Sequence, residues 1–283
     1  MISRRVLFLA APILAVSPVA AATQPEQPDM PPVTTPLAGD IDEILARKSL
    51  VVAMPGFQSL PFFGGSNDRS QGIDADTSQQ LADALGVQLV LDRSPSTFDG
   101  AVALIQQGRA DIVVAKLSRT LNRARNISYS HPYARLSHAL IINRVRFAVL
   151  STGRQPEEVV RSFDGELGVI AGSSFEYYAR ANFTKAKVRT FLAWQELVAA
   201  VRDGRVDAAY RDDLEIKRLL HEDPSLSIVA RSVTLTDLTD TIAIGVRRGS
   251  PYLLEFINLF LELSGRDKPM TADELVDRYL HKA

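Results

Sequence analysis

The sequence predicts an α/β protein of two lobes, each a mixed sheet flanked by helices. Three observations lead there. From residue 40 onward, short apolar or β-branched runs alternate with amphipathic stretches, the pattern of strands threaded between helices. Residues 194–210, WQELVAAVRDGRVDAAY, echo residues 98–114, FDGAVALIQQGRADIVV, at a constant offset of 96. An aromatic opens each copy and Gly-Arg-x-Asp precedes each second apolar run, so two similar units are favoured over one continuous sheet. A chain of 283 residues is also long enough for two domains of ordinary size.

The elements follow in order. Residues 40–48 form a short helix with Ile41, Ile44 and Leu45 on one face, and 50–54 a buried strand. A glycine-rich loop then carries Phe62 and Phe63, too apolar a pair for an ordinary solvent loop. A helix over 73–85 ends at Gly86, and residues 87–91 are the next strand. The helix from Phe98 ends at Gly108, which suits a left-handed C-terminal position, and a β-branched strand follows over 112–115. Residues 139–142 are another apolar strand. The pattern restarts with a helix over 156–163, a strand over 167–171 and a helix over 175–181. It continues with a strand over 188–192, a helix over 194–202, a strand over 206–210 and a helix over 212–221. Strands over 226–230 and 241–246 and helices over 251–263 and 271–280 close the chain. The first lobe takes residues 40–144 and 233–283 and the second 145–232, with hinges near 143–145 and 230–232 and a site between the lobes.

Composition bounds the chemistry. The net charge of −1 argues against a nucleic-acid partner, which needs a basic face, and the absence of cysteine excludes disulfides, thiolate metal sites and a cysteine nucleophile. The four histidines lack metal-ligand spacing, and no phosphate-binding loop or nucleophile elbow is present. Arg4 and Arg5, the apolar run over 6–16 and Ala20-Ala21-Ala22 make residues 1–22 a cleavable signal peptide, which places the mature protein in the periplasm. Residues 23–39, with five prolines, form a disordered leader.

Just past the strand over 112–115, Lys116, Ser118 and Thr120 alternate, and Arg123 follows. If the extended conformation persists, the first three share one face. A cation and hydroxyls at the carboxyl end of a buried strand suit a carboxylate ligand, because open α/β sheets bind ligands at that edge.

Several ordered blocks resemble the family 3 extracellular solute-binding proteins, the periplasmic receptors of polar amino acid ABC importers. Gly72-Ile73-Asp74-Ala75-Asp76 is similar to that family's Gly-Phe-Asp-x-Asp, and residues 111–133 to its strand, Ser-x-Thr-x-x-Arg loop and Phe-Ser-x-Pro-Tyr. Residues 168–176 resemble its second-lobe glycine turn, and Gly204-Arg205-Val206-Asp207-Ala208 its Gly-Arg-x-Asp-Ala strand entry. The resemblance implies a type II periplasmic-binding-protein fold and a monomeric ABC-importer component with no cofactor and no catalysis. It would bind a small carboxylate, an amino acid above all, and hand it to an inner-membrane permease. It implies that Arg123 forks onto the ligand carboxylate, that Ser118, Thr120, Ser173 and Ser174 add donors, that Asp212 takes an ammonium, and that Phe62 or Phe63 covers the ligand side chain. Lys116 departs from the family, which has a small residue there. A second cation in the pocket would favour an acidic ligand, unless Lys116 turns to solvent. Two rival readings stay open. One is a cyclohexadienyl (prephenate/arogenate) dehydratase-like enzyme with Glu215 as acid, and the other an accessory ligand-binding subunit of a periplasmic dehydrogenase.

Overall fold

The computed structural model describes residues 40–66 and 69–279. The signal peptide and leader expected over 1–39 lie outside them. In the first half, α1 (Asp40–Arg47) leads into β1 (Ser49–Ala53), and a short hairpin, β2 (Gly64–Ser66) and β3 (Arg69–Gln71), precedes α2 (Ile73–Leu85). Then come β4 (Gln88–Asp92), α3 (Phe98–Gln106), β5 (Ile112–Val113), α4 (Leu121–Ala124), β6 (Ile127–Tyr129) and the long β7 (Ala134–Asn143). The middle of the chain is α5 (Arg144–Leu150), α6 (Pro156–Arg161), β8 (Glu166–Ile170), α7 (Ser174–Asn182), β9 (Lys187–Phe191), α8 (Trp194–Arg202) and β10 (Ala208–Asp212). It closes with α9 (Asp213–Glu222), α10 (Leu226–Val229), β11 (Ala230–Ile242), β12 (Gly245–Arg247), α11 (Pro251–Leu263), β13 (Met270–Thr271) and α12 (Ala272–Tyr279).

Two mixed sheets result. The first runs β4-β1-β5-β12-β6, with β1 parallel to β4 and β5 and β12 antiparallel to its neighbours. The second runs β11-β7-β10-β8-β9, with β13 also paired to β7. The internal echo is structural. Its first copy is α3 and β5 at the centre of one sheet, and its second is α8 and β10 at the centre of the other. Each sheet buries its own apolar residues. Leu50, Val52, Ile105, Ile112 and Ile257 share the first core. Strict alternation along β7 feeds both faces of the second sheet, with Leu140 and Ile142 on one side and Ala139 and Ile141 on the other. Burying a side chain of the Leu or Ile class contributes about 1.5–3 kcal/mol.

Three details differ from the expected pattern. Residues 226–230 are not a strand: α10 occupies most of them and β11 starts at Ala230. The strand expected over 241–246 is two, since β11 runs on to Ile242 and β12 starts at Gly245. β11 is a long edge strand of alternating burial, and Thr234, Thr236 and Asp237 break up the apolar run that would have announced it. The change of core falls inside strands as well. Leu136 packs in the first core and Ala139 in the second sheet, and on the return Leu235 packs on the second sheet and Ile242 in the first core. β7 and β11 therefore cross between the sheets about six residues from the boundaries the sequence suggested.

Candidate functional site

The site grows from the end of β5. Gly72, at φ 108, lets the start of α2 press against the loop before it, where an added Cβ would lie 2.5 Å from the Phe62 carbonyl oxygen. That approach brings Asp74 beneath the chain leaving β5. Asp74 Oδ2 accepts from the Lys116 backbone N–H at 2.5 Å, and Oδ1 accepts from the Tyr133 hydroxyl at 2.7 Å. Burial pushes the Asp74 carboxyl up to about 7, against the lowering effect of the Tyr133 and Lys116 hydrogen bonds. Lys116 itself is left-handed, at φ 47, a conformation a residue with a side chain adopts at some cost.

The turn sends the Lys116 side chain between the lobes. Its Nζ is 2.9 Å from both carboxylate oxygens of Asp212 and 3.6 Å from Glu215 Oε2. It also lies 5.4 Å from the centroid of the Phe62 ring. Lys116 is 4 % exposed and Asp212 1 %. Asp212 ends β10 and caps α9, accepting from the Glu215 backbone N–H at 3.0 Å. Burial alone would raise its carboxyl, but the charges of Lys116 and Arg211 hold it below the usual carboxylate range.

A second junction lies beside this pair. The Ser118 and Ser174 hydroxyls are 2.7 Å apart across the lobes, and Ser118 donates to Asp240 Oδ2 at 2.7 Å. Tyr178 donates to Asp240 Oδ1 at 3.2 Å. Burial pushes the Asp240 carboxyl up to about 6, with the Ser118 bond opposing. The backbone N–H of Asp99 also donates to the Gly172 carbonyl at 3.2 Å, so the lobes are shut against each other. Between Lys116, Ser118, Ser174, Asp212 and Asp240 only about 10 Å³ is left open.

The remaining expected residues fall as follows. Thr120 caps α4, accepting from the Arg123 N–H at 3.2 Å. Arg123 is buried and turned into its own lobe: Nε donates to Asp99 Oδ1 at 2.8 Å and Nη1 to the Ser118 carbonyl at 3.2 Å. Its Nη2 lies 2.8 Å from the same Asp99 oxygen without the alignment of a hydrogen bond. Ser173 starts α7 but spends its hydroxyl on the Ile170 carbonyl, at 2.6 Å. Phe62 and Phe63 are both fully buried in the first core. The loop does offer a ring to the cleft, and that ring is Phe57, stacked on Phe63 and Phe98 at 5.6 and 5.2 Å between centroids.

A cavity of about 510 Å³ opens between the lobes and shares Glu215 with the Lys116 cluster. Phe57, Ser59, Arg93 and Phe98 line it from the first lobe, and Trp194, Arg211, Glu215 and Arg218 from the second. Arg211, the residue before Asp212 in β10, is one that the sequence patterns did not mark as a site residue. Its guanidinium stands 5.8 to 6.0 Å from the rings of Phe98, Trp194 and Phe175. Asp240 and Phe57 carry no motif that would have marked them, and Trp194 stood out only as the aromatic that opens the second copy of the repeat.

Residues 50–282 match the model of the bacterial extracellular solute-binding proteins, family 3. The chain is 28% identical over 172 residues, 58% of its length, to membrane-bound lytic murein transglycosylase F of Idiomarina loihiensis, and spans only 36% of that relative. It is 27% identical over 193 residues to cyclohexadienyl dehydratase of Pseudomonas aeruginosa, covering 67% of this chain and 68% of that one. Among solved structures it is similar to the ancestral amino acid-binding protein AncCDT-1, a precursor of cyclohexadienyl dehydratase. There the TM-score is 0.65 and the identity 25%, with 84% of this chain and 98% of that one covered. Among the described residues, no helix is long and apolar enough to cross a membrane.

Proposed function

Because the chain belongs to the bacterial extracellular solute-binding proteins, family 3, we propose that it captures a small organic carboxylate between its lobes and delivers it to an ABC importer from the periplasm. The observation that carries this reading is the cavity of about 510 Å³ walled by both lobes, directly beside the buried Lys116–Asp212 bridge. Its volume falls in the range of small-molecule sites, and its walls mix aromatic rings with a few convergent charges. Lys116, Ser118, Ser174 and Asp212 form the floor on which the lobes meet, and Arg123 braces that floor by tying Asp99 to the Ser118 carbonyl. A ligand touching both walls stabilises the shut form over an open one, and β7 and β11 are the strands about which the lobes would part.

The test is a thermal-shift screen of the purified protein against amino acids, hydroxy acids, keto acids and dicarboxylates. A ligand at a hundredfold its Kd adds about 2.7 kcal/mol of stability, a shift of several degrees. Silence across all four classes would refute carboxylate capture.

A second reading rests on Glu215. Glu215 lines the cavity, and its Oε2 is buried without a hydrogen-bond partner, a carboxyl within reach of a bound substrate being what acid catalysis would need. The dehydratase relative gives that position a chemistry to test. Turnover of prephenate by the purified protein, lost in Glu215→Gln, would establish it. Absence of turnover at saturating prephenate removes it.

A further inference from the structure

Buried polar side chains in folded proteins almost always find hydrogen-bond partners, so those left without one mark a place where something is to be added. Nine side-chain atoms are buried without a partner among the described residues. Five of them belong to residues lining the cavity of about 510 Å³: Ser59 Oγ, Trp194 Nε1, Arg211 Nε, Glu215 Oε2 and Arg218 Nε. Three of those five can only donate, one can only accept, and Ser59 can do either. Each of the five atoms is itself closed off from the open space, so they show a wall backed by more donors than acceptors.

The charges agree. Arg93, Arg211, Arg218 and Glu215 line the cavity, and Arg218 is taken up by Glu215 and Glu222, which leaves Arg93 and Arg211 as the cations open to a ligand. Arg93 donates only to the carbonyls of Pro55, Phe57, Gly64 and Gly65, which leaves its charge uncompensated. Arg211 is 6 % exposed and makes no hydrogen bond, its nearest carboxylate oxygen being Asp212 Oδ2 at 3.6 Å. A planar guanidinium held between aromatic faces with its fork unused is set up to receive a carboxylate.

The carboxylates of the cleft, by contrast, are already engaged. Lys116 holds both oxygens of Asp212, Ser118 and Tyr178 hold those of Asp240, and Arg218 holds Glu215 through Oε1. An ammonium entering the shut cleft finds no free anion except Glu215 Oε2, and Lys116 stands 3.6 Å from it. We propose that the cavity binds an organic carboxylate that carries no free ammonium, with its carboxylate on Arg211, its apolar or aromatic body between Phe57, Phe98 and Trp194, and a hydroxyl or similar donor on Glu215. Lys116 is the built-in cation that makes the ligand's own unnecessary. This rests on the carboxylate-capture reading above and narrows it to one ligand class.

The chain's single tryptophan, Trp194, lies in the cavity wall and reports its occupation by fluorescence. The purified protein is titrated with matched pairs that differ only at the α position: L-phenyllactate with L-phenylalanine, and L-malate with L-aspartate. Calorimetry runs alongside. The proposal expects the hydroxy acid of at least one pair to bind at least tenfold more tightly than its amino acid. Arg211→Met, which keeps the packing and removes the fork, is expected to lose that binding tenfold or more. Trp194→Phe, followed by calorimetry, gives an independent loss if Arg211→Met fails to fold. Tighter binding of the amino acid in the pairs that bind overturns this inference and leaves carboxylate capture standing. Unchanged hydroxy-acid affinity in a folded Arg211→Met also overturns it alone. No binding by any member of either pair overturns this inference, while carboxylate capture falls only with silence across the whole thermal-shift screen.

Discussion

Replacing Lys116 with Met tests the bridge on which the lobes close. The substitution keeps most of the side-chain volume and removes the ammonium, leaving Asp212 at 1 % exposure with only the Glu215 backbone N–H as a hydrogen-bond donor. Breaking one half of a buried ion pair costs about 3–5 kcal/mol, since the remaining charge stays out of water without its partner. Arg211, 3.6 Å from Asp212 Oδ2, offsets part of this, so the lower figure is expected. At roughly 2–4 °C per kcal/mol for a domain of this size, the Tm falls by about 6–12 °C. Differential scanning calorimetry at neutral pH measures it. Adding Asp212→Asn to the variant removes the orphaned charge and recovers part of the loss, which the double-mutant cycle reads as coupling. Lys116→Ala vacates the position, and ethylammonium chloride raises the Tm of that variant more than potassium chloride at equal ionic strength by filling it. A Tm change under about 2 °C in Lys116→Met, with no ethylammonium effect on Lys116→Ala, would refute the claim that this pair holds the cleft shut.

Further predictions concern the support of the site. Asp74 rises from 3.8 to about 7 on folding, so between those values the native state binds the extra proton. Stability through this group therefore falls as pH rises from about 4 to about 7 and is level above. His138 works the other way: burial drops it to about 4, so stability through it rises with pH up to its ordinary 6.5. The difference in Tm between wild type and Asp74→Asn over pH 5 to 8 isolates the Asp74 share, and parallel curves would exclude it. Gly168→Ala places a methyl against Leu197 Cδ1 and lies 3.3 Å from the Phe191 ring. Overpacking of that kind costs about 1–3 kcal/mol, read as a lower urea midpoint at unchanged m-value. Thr97→Ala removes the cap that accepts from Gly100 N–H at 2.9 Å, at a cost of about 1 kcal/mol in the same assay.

Much of this was legible in the sequence because periodicity reports burial. The two-lobed α/β fold follows from alternating apolar runs and from the repeat that became α3–β5 and α8–β10. The end of β5 was marked as a site position by its place at a strand edge, Asp212 by the family resemblance, and Lys116 by its departure from that family's small residue. Sequence could not say which way Lys116 pointed, because a lysine stem packs equally well toward solvent or core. Its direction is set by a left-handed turn pinned by Asp74, forty-two residues away in the chain. Phe62 and Phe63 were read as facing the ligand when the loop instead buries both and presents Phe57. β11 and the crossing of β7 between cores were hidden for opposite reasons. The first breaks its apolar run with exposed polar residues, and the second shows no break although its environment changes midway.

The most direct test of the account is a pair of crystal structures, one grown with L-phenyllactate and one with L-phenylalanine. The account predicts hydroxy acid in the cavity with its carboxylate about 3 Å from the Arg211 guanidinium, Lys116 still on Asp212, and no amino acid bound there. An amino acid with its ammonium on Asp212 and Lys116 swung aside would contradict it.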